Sequence, residues 1–131
     1  MMENILLNNS IISELLSRCI IYRWYRVGII VDCYSKISTI ERKVEELCDT
    51  NQVYKITKSP SQTLICFQNN STIEIKNANR EGNWRGIKYH ELFIDNGIQN
   101  TELKSVLLAT KIPYDLNFRD DLEFMWFSKD D

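Results

Sequence analysis

The run Gly82-Asn83-Trp84-Arg85-Gly86-Ile87-Lys88 is the nearest this sequence comes to a phosphate cradle. A working cradle needs the spacing G-x-x-x-x-G-K-[ST], because backbone N–H groups must wrap the phosphates while the lysine reaches the terminal one. Here the two glycines are one residue too close, the hydroxyl residue is absent, and a strand pattern follows where a helix should begin. The expectation is no phosphate loop and no cofactor.

A carboxylate stands at a more suggestive place. Leu92-Phe93-Ile94 is an apolar strand pattern that runs into Asp95-Asn96-Gly97. At the carboxyl end of such a strand an aspartate can hold a metal ion or polarise water. Asp-Asn-Gly is also ordinary turn chemistry, in which the aspartate merely caps the turn. On chemistry alone the turn reading is favoured.

The remaining nucleophiles and ligands are sparse. Cys19, Cys33, Cys48 and Cys66 are separated by 14, 15 and 18 residues, without the close pairs that zinc sites use. His90 is the one histidine and sits inside a strand pattern with no nucleophile motif beside it, so a structural role is expected. No metal site is expected. Each thiol lies in an apolar stretch, which reads as four buried, reduced cysteines in a cytoplasmic protein. Glu45-Glu46, Asp120-Asp121 and Asp130-Asp131 read as solvated surface, since adjacent helical residues do not share a face.

Two surface features invite partners. Lys76, Arg80, Arg85 and Lys88 give segment 76–88 a local charge of +3 with Trp84 among them. Basic residues with an interleaved aromatic can track a phosphate backbone while a base stacks. The alternative is a solvated loop whose Trp84 folds back onto the core. The second feature is segment 113–131, six acids against two bases, with Phe124, Trp126 and Phe127 among the charges. It reads as a final strand over Leu122–Phe127 or as an acidic, aromatic docking surface for a protein.

The elements that must position these residues follow from periodicity. Apolar residues at Ile5, Ile12, Leu15, Leu16, Cys19 and Ile20 predict an amphipathic helix over 3–22. Val27–Val31 reads as a strand buried on both faces. Ser38-Thr39-Ile40-Glu41 fits a capping box that opens a helix through Cys48. Val53–Ile56 predicts a short strand, then a Lys58–Ser61 loop. Thr63–Gln68 and Ser71–Lys76 form a hairpin around Asn69-Asn70, because asparagine tolerates positive φ. Tyr89–Asp95 is a strand with Leu92, Phe93 and Ile94 buried. Asn100 or Thr101 caps a helix through Thr110, with Leu103, Val106, Leu107 and Thr110 on one face, and Pro113 ends it. Strands alternating with helices predict a single α/β domain over 1–131, a three-layer sandwich with a mostly parallel sheet and one β-hairpin.

Within that order the stretch Ile65-Cys66-Phe67-Gln68-Asn69-Asn70-Ser71-Thr72-Ile73, then Ala78, Arg85-Gly86 and Leu92-Phe93-Ile94-Asp95 resembles the ATPase core of phage terminase large subunits. That family carries a hairpin of the form F-x-N-G-S-x-I, a loop reaching R-G, and an apolar Walker B strand ending in D-E. The resemblance spans residues 5 to about 112. It implies a P-loop-ATPase-like scaffold with Asp95 on the magnesium side. Two departures make the scaffold degenerate: the family's phosphate loop has no counterpart here, and the water-activating acid is replaced by the amide of Asn96.

Composition bounds the rest. The formal charge of −2 over 131 residues supplies no global basic field for nucleic acid or acidic membranes. The longest uncharged apolar runs fall far short of the roughly 20 residues a membrane span needs. Abundant Ile (17) and Asn (12) beside only two alanines suit AT-rich coding, as in many phages. The resulting expectation is a pseudo-enzyme: a small phage protein that binds or inhibits a host or defence protein in the host cytoplasm. The alternatives are a fragment or subunit of a nucleotide-dependent packaging or helicase-like ATPase, completed by a second chain, and a nucleic-acid-binding module using the 76–88 loop.

Overall fold

In the computed structural model, which describes residues 7–79, 84 and 86–114, the first helix starts at a side-chain cap. Asn8 Oδ1 accepts a hydrogen bond from the Ile11 N–H at 3.0 Å. That satisfies a donor with no intrahelical partner and opens α1 (Asn9–Ile21). The helix expected over 3–22 therefore begins later, after this cap. Its buried stripe is Ile12, Leu15, Leu16 and Cys19, the three- and four-residue spacing of one helical face. The far end of α1 is closed from the hairpin. The Asn69 side-chain amide lies 2.8, 3.0 and 3.1 Å from the carbonyls of Cys19, Ile20 and Tyr22.

Strand β1 (Arg26–Val31) is buried from Val27 to Val31, as a β-branched run flanked by helices should be. Helix α2 (Tyr34–Leu47) follows after two residues, with Cys33 as its N-cap. The expected start at Ser38 is overturned. Ser38 lies inside the helix, and Glu41 does not reach back to a cap. Glu41 instead accepts from the Thr63 hydroxyl at 2.8 Å and pairs with Lys58 at 2.9 Å.

Strands β2 (Val53–Ser59), β3 (Gln62–Phe67) and β4 (Thr72–Asn77) form an antiparallel meander. Asn70 adopts φ 73° in the β3–β4 turn, the conformation for which asparagine was expected there. Strand β5 (Glu91–Ile94) and helix α3 (Thr101–Leu108, capped by Asn100 Oδ1) complete the described chain.

The sheet has the order β2-β3-β4-β1-β5. Strand β1 pairs in parallel with β4 and β5, whereas β2–β3 and β3–β4 are antiparallel. The expectation of a mostly parallel sheet fails, and the sheet is mixed. The reason is local. Of the expected Lys58–Ser61 loop, Lys58 and Ser59 belong to β2 and only Pro60-Ser61 make a tight turn, so β2 and β3 form a second hairpin where a single one was expected.

Alternation along β1 divides the core. Val27, Ile29 and Val31 pack with α1 and α2, while Ile30 packs on the opposite face with Ala78, Trp84, Ile98 and Leu107 of α3. Helices thus cover both faces of an α/β sheet. Leu92, Phe93 and Ile94 are only half-buried, because among the described residues β5 has β1 as its one strand neighbour in the sheet. Val106 also departs from expectation and is exposed on α3. The strand expected over Leu122–Phe127 lies outside the described residues.

Candidate functional site

Where consecutive connections leave a sheet on opposite faces, a crevice opens at the carboxyl ends of the two strands. Strand β1 leads to α2 on one face and β5 leads to α3 on the other. Asp32 follows β1 and Asp95 follows β5, so the two carboxylates meet at that crevice.

Lys36, in the first turn of α2, lies between them. Its Nζ is 2.9 Å from Asp32 Oδ1 and 2.7 Å from Asp95 Oδ2. Asp95 also accepts from the Asp32 backbone N–H at 3.1 Å and, through Oδ1, from the Gly97 N–H at 3.0 Å. Burial alone would raise the Asp95 carboxyl, but the bond from Lys36 and those from the two backbone N–H groups outweigh it. The group is held below the ordinary carboxylate range. The same contacts, Asp95 first and Asp32 second, raise the Lys36 ammonium. The Asp95 carboxylate and the Lys36 ammonium are therefore charged at neutral pH.

The crevice is shaped by a missing side chain. A Cβ on Gly97 would stand 2.1 Å from Asp32 Oδ2, so only glycine leaves room for that carboxylate. Asn79 ties the third strand end to the cluster, its Nδ2 donating to the Asp32 carbonyl at 2.7 Å.

Asp95 thus sits at the strand end expected of it, and its contact with Gly97 is the turn-capping alternative. Sequence reasoning missed Lys36 and the partnership with Asp32. Asp32 also ends an apolar strand and stands four residues before Lys36, but only tertiary pairing makes the two strand ends neighbours. Asn96, the residue expected beside Asp95 in a degenerate Walker B pair, is exposed. Among the described residues no group of three or more His, Cys, Asp or Glu side chains is placed to hold a metal ion.

The basic loop divides differently. Trp84 is buried against Ile30, Ala78, Ile98 and Leu107, and Lys76 Nζ lies 5.3 Å from its ring centroid. The fold-back alternative therefore describes this indole, which offers no open stacking platform. Lys76 is buried beside Glu74 at 3.2 Å, and Glu74 also accepts from the Tyr89 hydroxyl at 2.8 Å. Lys88 is exposed. Arg80 and Arg85 lie outside the described residues, as do Phe124, Trp126 and Phe127.

His90 is structural, as expected. Its Nδ1 accepts from the Arg26 N–H at 2.9 Å, and its ring stacks on Tyr25 with centroids 5.5 Å apart. Burial, aided by Arg26 and Lys111, lowers its pKa. The cysteines are all free, but the expectation of four buried thiols is corrected: only Cys19 is buried, and Cys33, Cys48 and Cys66 are half-buried. Cys33 and Cys48 cap the two ends of α2, and Cys66 alternates with the buried Ile65 and Phe67 along β3, so an apolar neighbourhood in sequence does not enclose these side chains.

Comparison with protein-family models, with curated proteins and with solved structures finds no match to this chain. No helix among the described residues is long and apolar enough to cross a membrane.

Proposed function

We propose that this chain is a non-catalytic protein-binding module on a remodelled ATPase-like scaffold, a small phage protein that binds or inhibits a host or defence protein. The observation that carries the reading is the occupancy of the Asp95 carboxylate. Lys36 takes one oxygen at 2.7 Å and the Gly97 N–H takes the other at 3.0 Å. A carboxylate that served magnesium or water would need an oxygen turned toward the ligand, whereas this one is spent on holding α2 and the β5–α3 turn together. Asn96 adds no base, since a neutral amide accepts no proton from water at neutral pH.

Calorimetry of the full chain with ATP and magnesium tests this. No heat of binding is expected, and micromolar affinity overturns the non-catalytic reading.

A second reading draws on β5. It ends the parallel part of the sheet, and its outer side meets, among the described residues, the isolated Tyr89–Lys111 bridge. An exposed strand edge is a template for pairing with another chain, so a subunit that supplied a strand and a phosphate loop would complete an ATPase here. Co-purification of this chain with a G-x-x-x-x-G-K-[ST] protein, with ATP turnover by the pair alone, favours that alternative. The nucleic-acid reading of 76–88 is the weakest, because Trp84 is buried.

A further inference from the structure

Segment 110–114 follows α3 and straps the outer edge of the sheet. Tyr89 donates its N–H to the Thr110 carbonyl and accepts at its own carbonyl from the Ile112 N–H, each at 2.8 Å. The Tyr114 hydroxyl donates to the Arg23 carbonyl at 2.6 Å. The Tyr114 ring packs 5.0 Å from Tyr22, 5.4 Å from Tyr25 and, edge-on, 5.0 Å from His90. His90 joins this strap to β1. Its backbone N–H donates to the Arg26 carbonyl at 2.8 Å, and its Nδ1 accepts from the Arg26 N–H at 2.9 Å. An imidazole that accepts at Nδ1 carries its one proton on Nε2, and a second proton would set a donor against the Arg26 N–H.

The surroundings oppose that second proton. Burial, then Arg26 on β1 and Lys111 on the strap, hold the His90 pKa below its ordinary value. The carboxylates of the adjoining strands are already engaged. Glu91 on β5 accepts from Arg18 of α1 at 2.8 and 2.5 Å and from the Tyr25 hydroxyl at 2.9 Å. Glu74 on β4 pairs with Arg26 at 3.3 Å. Tyr25, stacked on the imidazole, stays a neutral phenol, since burial and Glu91 raise its pKa. We propose that protonation of His90 at Nδ1 is a pH switch: the bond from the Arg26 N–H breaks, and the strap opens while the inner strands stay paired. The proton comes from solvent, and no covalent bond changes. The strap is the part that yields, because an edge segment held by few bonds opens at lower free energy than central strands. Opening frees the outer N–H and C=O of Tyr89, a template for pairing an incoming strand. Closure is complete above about pH 6.5 and fails as pH falls through the depressed folded value. The inference does not depend on the partner-binding reading.

NMR of the full-length chain tests the switch in two ways. His90 is the one histidine, so its ring gives a single titration curve, expected with a midpoint below the ordinary histidine value. Amide exchange, corrected for the intrinsic pH dependence, should show Tyr89 and Ile112 losing protection as pH drops from about 6.5 to that midpoint, by up to about tenfold per pH unit. The amides of β3 and β4 should keep theirs. His90→Asn should leave Tyr89 and Ile112 with protection that does not change between pH 7 and 5. Tyr114→Phe keeps the ring and removes the 2.6 Å bond to Arg23. If proton uptake and opening are coupled, that weaker strap must raise the His90 midpoint, because each equilibrium shifts the other. An unchanged midpoint in Tyr114→Phe overturns the switch, since the ring would then be protonated with the strap closed. Equal pH dependence in His90→Asn also overturns it. So does loss of protection shared by β3 and β4, which would be global unfolding.

Discussion

Lys36 Nζ stands 2.7 Å from Asp95 Oδ2, a pairing between the first turn of α2 and the end of β5 across 59 residues of sequence. The ammonium bridges the two aspartates that the sheet brings together, so the ends of two adjacent strands become a clamp. The clamp joins the layer of α1 and α2 to the turn that leads into α3.

The clamp should be measurable. Asp95→Ala removes the acceptor of two backbone N–H groups and should lower unfolding free energy by about 1–2 kcal/mol in a denaturant melt. Lys36→Ala should cost less, because its side chain is 44% exposed and solvent already screens the ammonium. In a double-mutant cycle the two losses should not add, and full additivity would refute the coupling. The pH dependence has a defined sign. The folded Asp95 pKa lies below the ordinary value, so its contribution is fully present above roughly pH 3.9 and fades as pH falls through the folded value.

Gly97→Ala tests the shape of the crevice. Its Cβ would lie 2.1 Å from Asp32 Oδ2, so the carboxylate must swing away from Lys36 or the turn must shift. A loss of about 1–3 kcal/mol is expected for an overpacked site. Gly97→Ala combined with Asp32→Ala should recover much of it. An unaltered melt for the single variant would show that the turn yields freely.

The thiols should separate into two classes. Cys19 is buried, and burial pushes its thiol pKa well above the ordinary range. Burial raises Cys48 as well. In the native protein a thiol reagent should label Cys33 and Cys66 first, Cys48 more slowly, and Cys19 only on unfolding. Mass spectrometry of timed digests reads the order. Native labelling of Cys19 at the rate of Cys33 would contradict the packing of α1.

His90 should make stability fall in mild acid. Its folded pKa is depressed by burial, so the unfolded chain binds the proton first. Stability from the neutral ring is complete above about pH 6.5 and is lost as pH drops through the folded value. His90→Asn offers a neutral acceptor to the Arg26 N–H and should flatten the melting temperature between pH 7 and 5. An equal slope in both proteins would assign the effect to another group.

Much of the scaffold was legible in the residues themselves. The 3.6-residue stripe of α1, the β-branched run of β1, the Asn69-Asn70 hairpin and the Asn100 cap are local signals, and local sterics and capping decide them. Boundaries were less legible. The capping box at Ser38 misled because Glu41 finds better partners in Thr63 and Lys58, which no local pattern reveals. The mixed sheet was hidden for a similar reason: the segment at Pro60-Ser61 reads equally as a loop or a tight turn until β2 and β3 pair.

The candidate site marks the same division. Asp95 at the end of an apolar strand could be read from the sequence, because strand alternation and a turn signal place it there. Its company could not. Asp32 and Lys36 reach Asp95 because β1 and β5 pair in parallel while their following helices take opposite faces, and both are set by long-range pairing rather than by local pattern. Trp84 shows the converse. Its basic neighbours left an open stacking surface and a fold-back onto the core as alternatives, and the second core decided for the fold-back, since burial of a large indole beside Ile30 and Leu107 is favourable whatever charges flank it in sequence.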